Sequence, residues 1–363
     1  MNTRYGATLM QNANNLQGYR HVDTGIFMLD FALLGGIAEG FATEQYGWES
    51  SGKTTLAMRI AAGTLRKHPD KAVVWIDPET TFDPTWADKH GVDRSRLFYV
   101  QPESGEMAVD VAAAAIKNPD AALVIMDSLP ALVPQKEADA AAEDALVALR
   151  ARLVSRFCSQ VLQGWHERRP HGHLVTVDMI NQFRHKIVTM GDPRTLPCGN
   201  QHRFLATTMI EQTSQEILVK GTKAEGTEGA MQIVDFLDMG FKIKKSKAGN
   251  SIRNGSFKMM LNPDSPHASG SIYETPAILA TAKKMGWYTG AGSAQYLATT
   301  GDHKYKSSAV AIEWLDDNPD ELHKLKQFLI IKQRINMGIP AIPADGWLLG
   351  RVDRVTAQLA QAA

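Results

Sequence analysis

Residues 43–54 read TEQYGWESSGKT, and helix-forming residues follow them as far as residue 66. The first four predict a short strand, and the next eight, from Gly47 to Thr54, match the pattern G-x-x-x-x-G-K-[ST]. A strand that runs through this pattern into a helix is typical of a P-loop, whose backbone N–H groups surround phosphate oxygens. The stretch therefore predicts an α/β protein with a nucleotide site at the end of this strand.

The polar residues of the loop have expected roles in binding ATP and Mg²⁺. Lys53 would reach the β and γ phosphates, and Thr54 would offer its hydroxyl to Mg²⁺. The other residues of the loop and its continuation are expected to line the nucleotide: Gly47, Glu49, Ser50, Ser51, Gly52 and Thr55. ATP and Mg²⁺ are thus the cofactors that the stretch predicts.

Outward from the loop, strand-like apolar runs alternate with helical stretches up to about residue 179. This alternation predicts parallel strands joined by helices that cover both faces of one sheet. Beyond residue 203 the pattern becomes rich in strands, which indicates an antiparallel extension of the same sheet. Residues 275–333 show mainly helical patterns around Trp287, Trp314 and Phe328, which indicate a small additional domain.

Composition excludes several classes of protein. The 363 residues contain no apolar run near the roughly 18 residues of a membrane helix, and the first residues do not resemble a secretory signal. We therefore expect a cytoplasmic protein. Lysine and arginine number 39, and so do aspartate and glutamate, so contact with nucleic acid must come from a local patch. The two cysteines, Cys158 and Cys198, lack the spacing of a metal site and are expected to be buried thiols.

Acidic residues end two further strand-like runs. Asp127 follows the apolar run 122–126, and P-loop enzymes hold the water shell of Mg²⁺ at such a strand end. Glu79 follows the run 73–76, where a carboxylate can orient and deprotonate the attacking water. Either acid, taken alone, is also consistent with a purely structural strand end. The P-loop upstream favours the metal role for Asp127, whereas the two interpretations of Glu79 stay open.

A polar and basic loop follows the strand that ends at Gln182. It contains Arg184, Lys186 and Arg194, and three cations suffice to contact phosphates of nucleic acid. Such a position, directly after a core strand, suits a sensor of the γ-phosphate that is coupled to a ligand loop. The alternative is an ordinary solvated surface loop.

Taken in order, these motifs resemble those of the bacterial RecA recombinases, from about Val22 to Leu329. The P-loop has the form of that family, with Trp48 at its variable position. The segment 76–84 is similar to the one that carries the catalytic glutamate of the family, which implies that Glu79 activates water. In the same segment, the resemblance places Asp83 and Trp86 against the adenine.

The resemblance also implies roles for residues further along the chain. Gln182 would sense the γ-phosphate at the start of a second DNA-binding loop. Three cations would reach the γ-phosphate of a neighbouring subunit: Arg203, Lys245 and Lys247. DNA contacts would come from Arg152, Arg184, Lys186 and Arg194, with Met190 as an apolar wedge between bases.

The resemblance implies four parts of the chain. Residues 1–21 would form a short arm that contacts another subunit, and residues 22–265 a RecA-like ATPase core with the DNA-binding loops. Residues 266–335 would form a small C-terminal α+β domain, and residues 336–363 a tail.

Three features depart from the family pattern. The arm is shorter, the first DNA loop at residues 135–148 is rich in alanine, and the chain ends without an acidic tail. A contact between subunits would then be abbreviated, the grip on DNA would differ, and autoinhibition by a tail would be missing. These features indicate a divergent member of the family, and they leave a viral or mobile-element origin open.

The function implied by the resemblance is that of an ATP-dependent recombinase. Such a protein forms a helical homo-oligomeric filament on single-stranded DNA, pairs it with homologous double-stranded DNA and exchanges strands, while it hydrolyses ATP. Two alternatives stay open. One is a RecA-fold helicase or branch-migration motor that works as a closed ring, and the other is a scaffold that binds ATP to present a protein-docking surface.

Overall fold

The computed structural model describes residues 18–135, 143–172, 174–185, 192–220, 232–291, 294–297 and 303–341. Lys186, Met190, residues 1–17 of the expected arm, residues 136–142 of the expected first DNA loop and the tail from residue 342 lie outside these ranges. No helix within the described ranges is both long enough and apolar enough to cross a membrane.

The helices and strands alternate through the first half of the chain, as the apolar pattern predicts. In chain order the strands are β1 (His21–Val22), β2 (Ile37–Ala38), β3 (Ala42–Gly47), β4 (Ala72–Ile76), β5 (Leu97–Val100), β6 (Ala121–Met126), β7 (Thr176–Gln182), β8 (Arg184–His185), β9 (Arg194–Thr195), β10 (Thr208–Lys220), β11 (Gln232–Ser246), β12 (Asn254–Met260), β13 (Ile272–Tyr273), β14 (Tyr288–Ala291), β15 (Ala294–Leu297) and β16 (Lys304–Tyr305). The helices are α1 (Phe27–Ala32), α2 (Lys53–Lys67), α3 (Pro84–Lys89), α4 (Gly105–Lys117), α5 (Glu143–Arg168), α6 (Gln201–Leu205), α7 (Thr275–Lys284), α8 (Ser308–Asp317) and α9 (Pro319–Asn336).

A nine-stranded sheet forms the centre of the molecule, in the order β13-β12-β11-β10-β3-β7-β6-β4-β5. The strands from β10 to β5 pair in parallel, and β10 to β13 pair antiparallel. The expected α/β core, with a mostly parallel sheet and an antiparallel extension, is therefore confirmed. The sheet includes β13, so it extends beyond residue 265.

Both faces of the parallel part are covered, because parallel strands joined by crossover helices place those helices on the faces. Helices α4 and α5 pack on one face, with side chains such as Ile116 and Phe157 in that core. Helix α2 packs on the other face, with Leu56 and Ile60 against Trp75 of β4. Every residue of β6 is buried, as expected for a strand between two layers of helices.

The C-terminal part combines helices α7, α8 and α9 with a three-stranded sheet, β14-β15-β16. The rings of Trp287 and Phe328 meet edge to face, with their centroids 4.1 Å apart. Phe27 and Phe31 of α1 belong to the same apolar cluster. This part is therefore an α+β unit that packs on α1 of the core, and the exact limits expected for it stay a prediction.

The fold brings four chain segments together at one edge of the central sheet. Strands β3, β4, β6 and β7 run in the same direction, so their carboxyl ends meet at this edge. The P-loop, the Asp77–Glu79 turn, Asp127 and Gln182 follow or end these strands. We call this edge the carboxyl edge and the opposite one the amino edge.

Candidate functional site

The P-loop joins the carboxyl end of β3 to the first turn of α2, and two glycines in it are required by close contacts. A Cβ atom on Gly47 would lie 2.4 Å from the carbonyl oxygen of Gln212. Gly52 has a φ of +83°, and a Cβ atom there would lie 1.9 Å from Cε of Met239. The loop thus packs directly against strands β10 and β11. Because α2 is 15 residues long and begins at Lys53, its free N–H groups and its dipole favour an anion at this point.

Lys53 lies inside the loop rather than in bulk solvent. Its Nζ donates hydrogen bonds to the carbonyl oxygen of Trp48 at 2.6 Å and to Oγ of Ser51 at 3.3 Å. Partial burial lowers the pKa of Lys53, and the negative charges of Asp127 and Glu79 oppose this shift. The ammonium group is therefore positioned among loop oxygens and facing carboxylates.

Thr54 and Asp127 fit a magnesium site. Oγ1 of Thr54 donates a hydrogen bond to Oδ2 of Asp127 at 3.0 Å, and Asp127 is 5% exposed. Burial raises the pKa of Asp127 to about 7, the Thr54 bond opposes this shift, and the carboxylates of Asp77 and Glu79 add to it. A divalent cation would relieve this crowding of negative charge. Within the described ranges, no group of three or more His, Cys, Asp or Glu side chains is arranged to hold a metal ion by itself.

Glu79 is exposed at the carboxyl edge and is hydrogen-bonded to Ser128, which follows Asp127 at the end of β6. Its Oε1 accepts a hydrogen bond from Oγ of Ser128 at 2.5 Å. The buried carboxylate of Asp77 accepts four backbone N–H groups, those of Glu79, Thr80, Thr81 and Phe82. Asp77 thereby shapes the turn that presents Glu79. The sequence interpretation missed these roles of Ser128 and Asp77, although an Asp that precedes a turn is a known signal of such backbone bonds.

The residues expected at the adenine lie next to α2. Asp83 caps α3, because its Oδ1 accepts the backbone N–H groups of Thr85 and Trp86. Nε1 of Trp86 donates a hydrogen bond to Oγ1 of Thr55 at 3.0 Å. The structure therefore brings Trp86 to the P-loop helix, whereas contact of either residue with adenine stays a prediction.

Gln182 pairs with Gly47 across β7 and β3, so it lies beside the P-loop. The next residue, Phe183, donates its backbone N–H to the carbonyl oxygen of Gly47 at 3.1 Å. Strands β8 and β9 then form a short antiparallel hairpin at the two ends of the expected second DNA loop. This arrangement connects the nucleotide loop directly to that hairpin.

The residues expected to bind DNA are presented differently. Arg152, on α5, and Arg184, on β8, are exposed. Arg194 instead bonds to the carboxylate of Asp192 through Nε and Nη2, and its Nη1 bonds to Glu211 at 3.1 Å. Arg194 is exposed as well, but two carboxylates already compensate its charge, a feature that the count of cations in the sequence did not indicate.

Arg203, Lys245 and Lys247 lie together at the amino edge of the sheet. Nζ of Lys245 donates a hydrogen bond to the carbonyl oxygen of Arg203 at 2.6 Å. Partial burial lowers the pKa of Lys245, and the charge of Lys247 adds to this shift. Lys245 pairs with Met209 of β10, and Met209 pairs with Glu44 of β3. Glu44 precedes Gly47 by three residues, so at about 3.3 Å per residue Lys245 lies roughly 10 Å from the P-loop along β3.

A buried polar cluster that the sequence interpretation missed holds α6 against β3. Oε1 of Glu44 accepts a hydrogen bond from Nδ2 of Asn181 at 3.0 Å and lies 2.8 Å from Nδ1 of His202. All three side chains are buried. Glu44 precedes the P-loop by three positions, and His202 precedes Arg203, but nothing local in the sequence indicates that they meet.

Comparison with known proteins agrees with these features. The model of the RecA N-terminal domain family matches residues 3–260. The protein RecA of Streptomyces coelicolor is 29% identical over 336 residues, which cover 92% of this chain and 82% of that protein. The protein RecA of a Nocardioides species is 30% identical over 330 residues, which cover 89% of this chain and 87% of that protein. The protein RecA of Bifidobacterium breve is 29% identical over 317 residues, or 86% of this chain and 74% of that protein.

Proposed function

Because the chain belongs to the RecA family, we propose that it is a DNA-dependent ATPase that forms helical filaments on single-stranded DNA and catalyses homologous pairing and strand exchange. ATP and Mg²⁺ would be its cofactors, and single-stranded and double-stranded DNA its partners. The observation that carries the proposal is the separation of two sets of residues across the central sheet.

The first set lies at the carboxyl edge and suits the binding of a nucleotide. Lys53 would neutralise the β and γ phosphates, and Thr54 and Asp127 would hold Mg²⁺, which neutralises further phosphate charge when bound. Glu79, held by Ser128, would orient the attacking water and accept its proton. These residues bind ATP and prepare the nucleophile.

The second set, Arg203, Lys245 and Lys247, lies towards the amino edge, and Lys245 is in register with Glu44, three residues before the P-loop of the same chain. We infer that these cations act on the phosphates of a neighbouring subunit rather than on those that Lys53 of their own subunit binds. Two of them, Arg203 and Lys247, are exposed, so they are available to a neighbouring molecule. Head-to-tail stacking would place them on the phosphates of that neighbour, since such contacts join two different surfaces and can repeat without limit.

Under this proposal ATP is bound between subunits, so that binding favours the polymer and hydrolysis weakens it. Arg152 and Arg184 are exposed cations that would contact the phosphates of the bound strand. Lys186 and Met190 stay candidates for the same surface. Pairing between bases would select the homologous duplex, because backbone contacts carry no sequence information.

The test compares the rate of ATP hydrolysis with and without single-stranded DNA, and images the complex with a non-hydrolysable ATP analogue by electron microscopy. We expect DNA to stimulate hydrolysis and the images to show open helical filaments. Strand exchange should occur with a homologous duplex and not with a non-homologous one. Closed rings would instead favour a helicase or branch-migration motor, and ATP binding without stimulation by DNA would favour a scaffold.

A further inference from the structure

The side chain of Trp48 connects the P-loop to the hairpin β8–β9. Its ring centroid lies 4.5 Å from that of His185, and the two ring planes are inclined by 30°. The same ring lies 5.4 Å from the ring of Phe183. The indole of Trp48 thus contacts the segment that follows β7. This is a direct contact between the nucleotide loop and the start of the expected DNA loop.

On the P-loop side of this contact, the backbone of Trp48 is hydrogen-bonded to Lys53, the residue expected to bind phosphate. The carbonyl oxygen of Trp48 accepts the 2.6 Å hydrogen bond from Nζ of Lys53. A phosphate that draws the Lys53 ammonium towards itself therefore acts on the backbone of Trp48 within one hydrogen bond. We therefore expect the position of the indole to respond to what Lys53 binds.

At the other end of the contact, the two hairpin residues that meet the indole, Phe183 and His185, differ in burial. Phe183 is buried, packs edge-on against Tyr46 with centroids 5.4 Å apart, and bonds through its N–H to Gly47. Trp48 is 37% exposed, and His185 is exposed as well. The phenylalanine therefore anchors the hairpin, whereas the pair of exposed rings can form or separate without disturbing the core. A contact of this kind can shift an equilibrium between two loop positions by roughly 2- to 10-fold.

We propose that Trp48 and His185 form a link, in addition to Gln182, that transmits occupancy of the phosphate site to the DNA loop. With triphosphate bound, the P-loop holds the indole in place, the stack orders the hairpin, and Arg184 is presented to DNA. Trp48 and His185 are positioning residues in this mechanism, since neither needs to contact the reacting atoms. The inference rests on the proposed function, because it requires that ATP strengthens the binding of single-stranded DNA.

The test measures the affinity for a fluorescent single-stranded oligonucleotide with and without a non-hydrolysable ATP analogue. His185→Ala removes the stack, and His185→Phe keeps a ring there but removes the ring nitrogens. Without nucleotide, we expect His185→Ala to bind DNA with the affinity of the wild type. With the analogue, the increase in affinity should be smaller than that of the wild type by a factor of roughly 2 to 10. His185→Phe should keep most of the enhancement.

Two further variants isolate the contact. Trp48→Ala should also reduce the enhancement, and adding His185→Ala to it should reduce the enhancement no further, because both remove the same stack. Phe98→Ala is the matched control, since Phe98 is an aromatic residue that is 61% exposed on β5, at the far end of the sheet. It should leave the enhancement at the wild-type value.

Each outcome separates the link from the proposed function. If His185→Ala retains the full enhancement, the link is wrong while the proposed function stands. If His185→Phe is as defective as His185→Ala, His185 acts through its ring nitrogens, which also contradicts the stack. If the wild-type protein shows no effect of the analogue on DNA binding, the proposed function is wrong and the link with it.

Discussion

Single residues at the carboxyl edge differ in how far their surroundings restrict them. Lys53 is held by two oxygens of its own loop, and Asp127 by the hydroxyl of Thr54. Glu79 is exposed but restrained by Ser128. Substitutions of such residues should change chemistry more than stability, because few of their atoms belong to the apolar core.

Lys53→Ala should reduce ATP hydrolysis by at least about 100-fold, because the variant lacks the mobile cation that stabilises charge on the transferred phosphate. The fold should be retained, since Lys53 lies at the first position of α2 and alanine is a good helix former. Initial rates at saturating ATP measure the first effect, and thermal unfolding measures the second. Near-normal turnover in a folded variant would contradict the assignment of residues 47–54 as a P-loop.

Asp178 is a buried carboxyl group in the centre of the sheet, and it should make stability depend on pH. Its Oδ2 accepts a hydrogen bond from Nε2 of Gln45 at 2.5 Å, and burial raises its pKa to about 7. The unfolded chain releases this proton near pH 4, so the folded state binds more protons between pH 4 and 7. The stability contributed by the retained proton is complete below that range and is lost as pH rises through 7.

Asp178→Asn lacks this titration and keeps an acceptor for Gln45. Its free energy of unfolding, relative to that of the wild type, should therefore increase by about 2 to 3 kcal/mol between pH 5 and pH 8. Urea denaturation at the two pH values measures the difference. A difference that does not change with pH would show that Asp178 is ionised in the folded protein throughout this range.

At the scale of elements, α6 depends on tertiary contacts. It contains five residues, and a helix of this length is unstable in isolation. The buried side chain of His202 attaches it to Glu44 of β3. Arg203 and Phe204 are exposed on the same short helix, so their positions depend on this attachment.

His202→Ala should lower the free energy of unfolding by about 1 to 3 kcal/mol, because it removes a buried polar neighbour of Glu44 and leaves that side chain with fewer partners. Gln201→Ala is the matched control on the same helix, since Gln201 is exposed, and it should change stability by less than about 0.5 kcal/mol. Urea denaturation of both variants tests the difference. Equal effects would mean that the cluster does not hold α6.

At the scale of the whole molecule, the central sheet separates the nucleotide loop from the cations on α6 and β11. Under the proposed function, each subunit would carry half of a site at either edge, which suits an assembly in which every interior subunit contributes both halves. Mutations at the two edges should therefore complement each other, whereas mutations at one edge should not.

A Lys53→Ala protein and an Arg203→Ala/Lys245→Ala/Lys247→Ala protein should each be inactive alone. Mixed in equal amounts, they should regain up to roughly a quarter of the wild-type ATPase activity, since a quarter of randomly formed head-to-tail contacts are intact. The control replaces the triple variant by one that also carries Lys53→Ala, for which no intact contact can form. An inactive first mixture, despite co-assembly on DNA, would mean that the cations do not act across the interface.

The sequence by itself determined the α/β class, the parallel direction of the strands in the first half of the chain and the group of polar residues at the carboxyl edge. It could do so because the P-loop pattern and the strand and helix periodicities are local, and because the ends of parallel strands must meet at one edge. The structure has Gly47, Lys53, Thr54, Glu79, Asp127 and Gln182 at the carboxyl ends of β3, β4, β6 and β7, as the pattern predicted, and their roles at ATP and Mg²⁺ stay predictions.

Only the tertiary structure decided which distant side chains touch. Glu44 and His202 are 158 positions apart by their numbering, and their contact depends on how α6 packs across β3. The stack of Trp48 on His185 and the carboxylates that hold Arg194 likewise join segments whose mutual position no periodic pattern specifies. The distance between Arg203 and the P-loop depends on the direction and length of β3 in the assembled sheet. Such contacts depend on the packing of whole elements, and nothing local in the sequence indicates which residues will be partners.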